Sequence, residues 1–260
     1  MSKLRTQTVA VIGICAAVYA VIGRLTDLGL TFLGVAFYPA VIIPAVFAVL
    51  FGSWVGGFGA AIGIFIRDML FHGNPFLSLT VGVPANFLVF FVIGYISGTN
   101  INLKKLATTG IVAAVVVIVG LLVPTLIYPA EFSAATGLST DVILALFIST
   151  VIVSLVSIIL VSIRWQQWRS YAVGSVIGMT AGAALLSVSF WAYSQLFFDP
   201  TGYVKAPLAA TFIPILFIWT FVTEFPFVLL VGPPIIKACY RAFPTLQARM
   251  KINKIGERVD

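Results

Sequence analysis

Long apolar blocks follow one another along this chain, separated by short polar, basic or glycine- and proline-rich breaks. Blocks of this length predict membrane-crossing helices. Eight are delimited: Thr6–Gly23, Phe37–Phe51, Trp54–Phe71, Leu79–Ser97, Leu106–Tyr128, Asp141–Ile163, Tyr171–Phe197 and Leu208–Lys237. Most reach the roughly 20 residues needed to cross about 30 Å of hydrocarbon. The second extends only ~22 Å at about 1.5 Å per residue, so it is expected to be tucked among neighbours or to stop short of one face. The GSWVGG that follows it predicts a tight turn, making spans two and three a helical hairpin.

Composition turns this pattern into a class. Of 260 residues, 61% are hydrophobic and 9% charged, where a water-soluble domain keeps roughly 25% charged. The chain is therefore expected to be an all-α, polytopic integral membrane bundle of about eight transmembrane helices. Residues 1–237 would form a single transmembrane domain, and 238–260 a basic tail lying along the cytoplasmic membrane surface. The run near the N-terminus lacks a clean small-x-small cleavage site and is read as a retained first span rather than a signal peptide.

The net charge of +7 does not point to nucleic acid, because the basic residues sit in short clusters between spans. With the N-terminus in the cytoplasm, Lys3, Arg5, Lys104, Lys105, Arg164, Arg169 and the six basic residues from Lys237 to Arg258 fall inside. Only Arg24, Arg67 and Lys205 fall outside. That bias predicts cytoplasmic termini at both ends, in a multi-pass protein of the cell membrane. Asp27, Glu131, Asp141 and Asp199 land outside, where the connections are also longer and richer in Gly, Pro, Asn and aromatics. A solute site opening outward is the expectation.

Several residues carry candidate chemistry. Span three has glycines at 52, 56, 59 and 63, and four further on stands Arg67, beside a helix–helix contact rather than lipid. Asp68 and His72 are four apart on a neighbouring face. Either this turn is an interfacial anchor in which Asp68 offsets Arg67, or it lines the mouth of a solute pocket. The stretch HGNPFLSLTVGVPANF adds Asn74, Pro75, Gly82, Pro84 and Asn86, and predicts a broken helix start that exposes backbone N–H groups, with Asn86 at a cavity edge. Trp191 is either an interfacial belt residue or a stacking platform for a flat ring. Glu224 lies deep within the last span; it is functional, hydrogen-bonded to a neighbouring helix, or protonated. In span one, Gly13 and Ala17, and Ala16 and Ala20, are spaced by four and make a flat face. That face either packs within the chain or docks another membrane protein.

Other chemistries are disfavoured. Cys15 and Cys239 allow no disulfide framework or CxxC metal site, and a single histidine rules out a bis-histidine haem and disfavours a histidine-rich metal site. No HExxH, GxSxG or Walker A motif occurs, so neither an enzyme nor a cofactor bound by this chain is expected, and any ATP use belongs to partners.

The flat first helix GICAAVYA, the hairpin AVFAVLFGSWVGGFGAAIGIFIRDML, the segments GNPF and GVPANFLVFFVIGYISG, and the ending TEFPFVLLVGPPIIKACYR resemble the substrate-binding S component of energy-coupling factor transporters. The resemblance covers spans one to four and seven to eight. It implies a six-helix protein that captures a vitamin or related micronutrient outside and topples in the bilayer. It also implies two kinds of partner, a transmembrane coupling protein and two cytoplasmic ABC-type ATPases. On this likeness Gly13, Ala16, Ala17 and Ala20 become the coupling face, and the loop after span one and the end of span three become pocket walls. The chain departs from the family in two extra spans, an apparent inserted hairpin over 106–163. A stand-alone secondary transporter, proton-coupled through Glu224, is the alternative.

Overall fold

The computed structural model describes residues 6–26, 31–32, 35–99, 166–198 and 204–246, with isolated positions between 100 and 165. Among them the chain forms α1 (Thr6–Leu25), β1 (Thr31–Phe32), β2 (Val35–Ala36), a 3-10 turn (Pro39–Val41), α2 (Ile42–Phe51), α3 (Ser53–Phe71), α4 (Pro75–Gly98), α5 (Arg169–Leu196) and α6 (Phe212–Ala242). All but α2 among these helices are long and apolar enough to cross a membrane. Apart from isolated positions, the predicted spans Leu106–Tyr128 and Asp141–Ile163 lie outside the described residues. So does the tail beyond 246.

The short second element is real: α2 holds 10 residues and spans only ~15 Å. The turn after it is a single residue, Gly52 at φ 105°, a left-handed conformation that a side chain would strain. Ser53 already begins α3, so most of GSWVGG is helix rather than loop. α1 packs mainly on α3, α3 on α2 and α4, α4 on α5, and α5 on α6, while α6 returns to α2. The core between them is apolar and aromatic, with Tyr19, Phe90, Ile93, Met179 and Phe225 fully enclosed. Outward stand Val9, Ile14, Leu70, Tyr95 and Val188, a surface suited to hydrocarbon rather than water.

Glycines set the closest contact. A Cβ on Gly63 would stand 2.8 Å from the backbone oxygen of Ala16, and one on Gly59 would meet Cys15. These glycines let α1 lie almost backbone to backbone on α3, the kind of van der Waals fit that holds helices together in lipid. The face read on α1 therefore divides. Ala16 and Ala20 are each only 2% exposed and are buried within the chain. Gly13 and Ala17 are exposed, and nothing lies within 4 Å of a Cβ built on Gly13. As an outward surface Ala16 and Ala20 are unavailable, because the chain itself covers them.

The start of α4 also differs from expectation. It is not broken; it begins earlier, at Pro75, and runs through a π-helical turn, Ser78–Gly82, into the α-helix Val83–Gly98. Pro84 brings no N–H for the carbonyl four residues earlier, and the wider turn immediately before it absorbs that mismatch. The N-terminal amides are capped rather than exposed: the Leu77 N–H donates to Asn74 Oδ1 at 3.0 Å.

Candidate functional site

The charged turn of α3 is buried, not snorkelling. Arg67 is 3% exposed and Asp68 6%. Arg67 Nη1 lies 3.4 Å from Asp68 Oδ1, and its guanidinium stacks 4.3 Å from the ring centre of Phe71 and 5.1 Å from that of Tyr38. Two aromatic faces and one carboxylate thus replace the water that the cation gave up.

Asp68 is held from two more sides. Ser78, in the π turn, donates its hydroxyl to Asp68 Oδ2 at 2.7 Å, and His72 Nε2 stands 3.8 Å from the same oxygen. The wide turn brings Ser78 and the bare Cα of Gly82 against the carboxylate; a Cβ on Gly82 would sit 2.9 Å from Oδ2. The backbone N–H of Asn74 donates to His72 Nδ1 at 3.1 Å.

These groups line a cavity enclosing about 620 Å3 of atom-free space, counting its open mouth. Its polar wall comprises Arg67, Asp68, His72, Ser78, Asn86 and Glu224. Val35, Ala36 and Tyr38 close one side, and Leu186 and Phe190 of α5 form an apolar wall. A mostly apolar lining carrying a few convergent polar groups is the pattern of small-molecule sites. β2 is pinned over the cavity because Trp219 of α6 donates its indole N–H to Val35 O at 2.9 Å.

Five of the seven solute-site residues read from sequence therefore come together: Arg67, Asp68, His72, Asn86 and Glu224. Asn86 is also a brace, accepting from the Tyr19 hydroxyl at 2.8 Å and donating to Gly82 O at 3.0 Å. Asn74 stands behind His72 and reaches α5 by donating to the Tyr193 hydroxyl at 3.1 Å. Trp191 is half-buried and is not among the cavity-lining residues; its neighbour Phe190 is. Glu224 sits twelve residues into α6, about 18 Å along the axis. It has neither a hydrogen bond nor an ion pair among the described residues. Ser78 was not legible as a site residue, since it reaches the cavity only through packing between helices.

Asn74 supplies the first expected result. Asn74→Ala loses both the helix cap and the bond to Tyr193, and should destabilise the purified protein by about 1–2 kcal/mol, read as a lower thermal midpoint in detergent. A midpoint equal to wild type would show that neither bond matters.

Comparison with known proteins brings no counterpart: no family, no curated protein and no solved structure matches this chain.

Proposed function

We propose that this chain is the membrane-embedded solute-capture subunit of an energy-coupling factor importer in the cell membrane, with both termini cytoplasmic. It takes a vitamin or related micronutrient from outside and hands it inward with the help of a transmembrane coupling protein and two ABC-type ATPases. The observation that carries the reading is the cavity, in which Arg67, Asp68, His72, Asn86 and Glu224 converge at the end of an otherwise apolar bundle. Polar and ionisable groups are expensive inside a membrane and mark solute pathways. The basic clusters between spans, the resemblance in GICAAVYA and in the α2–α3 hairpin, and the exposed small residues Gly13 and Ala17 support the rest.

Mass spectrometry of small molecules retained by the purified protein tests this directly. Wild type should carry a bound molecule, and Leu186→Trp, which narrows the cavity, should lose it while eluting as wild type does. The importer reading further requires co-purification with coupling protein and ATPases; tight solute binding with no such partners would overturn that half.

A second reading rests on Glu224, a carboxyl in the middle of α6 that reaches the cavity. It makes the chain a stand-alone carrier coupled to protons. Uptake into liposomes driven by a proton gradient and lost in Glu224→Gln would select it, whereas uptake intact in that variant would remove Glu224 from any coupling role.

A further inference from the structure

The Asn86 carboxamide is held one way round, and that fixes what it can offer a solute. Asn86 stands four residues beyond Gly82 on α4, and its Nδ2 donates to Gly82 O at 3.0 Å. A backbone carbonyl only accepts, so the amino group and not the oxygen points there. Its Oδ1 accepts from the Tyr19 hydroxyl at 2.8 Å. Tyr19 is fully buried, with its ring centre 5.2 Å from that of Tyr38 and 6.2 Å from that of Phe90. It is not among the cavity-lining residues, whereas Asn86 is. The two bonds occupy the oxygen and one N–H. A carboxamide has a second N–H, and no described residue engages it.

We propose that Asn86 is a specificity-determining residue whose second N–H donates to an acceptor on the solute, a carbonyl oxygen or an unprotonated ring nitrogen, and that Tyr19 is the residue that positions it. This deepens the capture role proposed above and rests on that reading. A carboxamide free to turn would serve donors and acceptors alike. Here a half-turn would break both bonds and set Oδ1 against the Gly82 carbonyl. A solute with an acceptor at this place gains a bond. One without it leaves the N–H unpaired, and the apolar wall of Leu186 and Phe190 supplies no substitute. A site built to hydrogen-bond a solute group rejects the analogue lacking it for that reason.

Acetophenone and α-methylstyrene have the same shape and differ in a C=O against a C=CH2, so they serve as probes. Each is equilibrated with the full-length protein by dialysis against matched protein-free micelles. Wild type should prefer acetophenone by about fivefold or more, the effect of one hydrogen bond. The carbonyl stretch of the bound ketone should lie below its frequency in alkane. Asn86→Leu should abolish the preference and return the stretch toward the alkane value. Tyr19→Phe should weaken acetophenone more than α-methylstyrene, an asymmetry that loosened packing alone would not produce. Should Asn86→Leu not elute as wild type, Tyr19→Phe combined with Asn86→Leu takes its place, since neither partner is then stranded. Equal binding of the two probes by wild type overturns the proposal, as does a preference kept without Asn86 or binding of neither probe. A preference unchanged in Tyr19→Phe overturns the positioning role. A molecule recovered by mass spectrometry with neither a carbonyl oxygen nor an unprotonated ring nitrogen overturns the proposal and leaves the capture role standing. An absence of any retained molecule would remove the capture role itself.

Discussion

Asp68→Ala is expected to be among the most damaging single changes in this protein, lowering stability by roughly 3 kcal/mol or more. The reason is the cation it abandons. Arg67 is 3% exposed, and the Asp68 carboxylate stands against it at 3.4 Å. Removing one member of a buried pair costs more than the pair contributes, because the survivor keeps its desolvation penalty. The Ser78 hydroxyl loses its acceptor at the same stroke. For a chain of this size the loss should appear as a thermal midpoint lower by roughly 10 °C in detergent. Two companion variants identify the cause. Ser78→Ala should cost much less, about 1–2 kcal/mol for one hydrogen bond to a charged group. Arg67→Leu combined with Asp68→Ala should recover part of the loss, since no charge is then stranded. A double variant less stable than Asp68→Ala alone would mean that Arg67 is held by the Tyr38 and Phe71 faces and not by its carboxylate.

Arg67 also shows what the sequence made legible. Its place four residues beyond Gly63 put it beside a helix contact, and α3 does bury it there. The same counting placed Asp68 and His72 on one side, and the described spans fall within a few residues of their apolar blocks. Such features depend on helical period and on hydrophobic length, both of which are local. What escaped was set by other parts of the chain. Ser78 meets Asp68 only because the α3–α4 connection folds back and the π turn widens beneath it. Tyr38 reaches Arg67 only after α2 is laid across the bundle. The pairing of Thr31 with Ala36 and Phe32 with Val35 is too short to leave a period-of-two signal. Gly82 and Pro84 were read as a break, whereas a change of helical pitch accommodates them.

The rotation of α1 escaped for a similar reason, and it leads to the second large effect. Small residues at 13, 16, 17 and 20 occupy two adjacent strips, and their spacing does not say which strip turns inward. Gly59 and Gly63 decide it by offering α1 a surface without side chains. Gly63→Leu should therefore destabilise the protein by about 3 kcal/mol or more, since the obstacle at 2.8 Å is backbone, which cannot swing aside. Ala16→Leu and Ala20→Leu should behave alike, because both positions are already closed by the chain's own packing. Gly13→Leu and Ala17→Leu face open space and should keep the wild-type midpoint within about 0.5 kcal/mol. The contrast separates fold from partner. If a coupling protein grips α1, Gly13→Leu and Ala17→Leu should weaken its co-purification while the capture subunit stays intact, whereas failure at Ala16 or Ala20 would report only on helix packing. A Gly63→Leu variant as stable as wild type would show that α1 and α3 do not touch as closely as these contacts require. Lost co-purification in Ala16→Leu at an unchanged midpoint would instead return that residue to the outward surface.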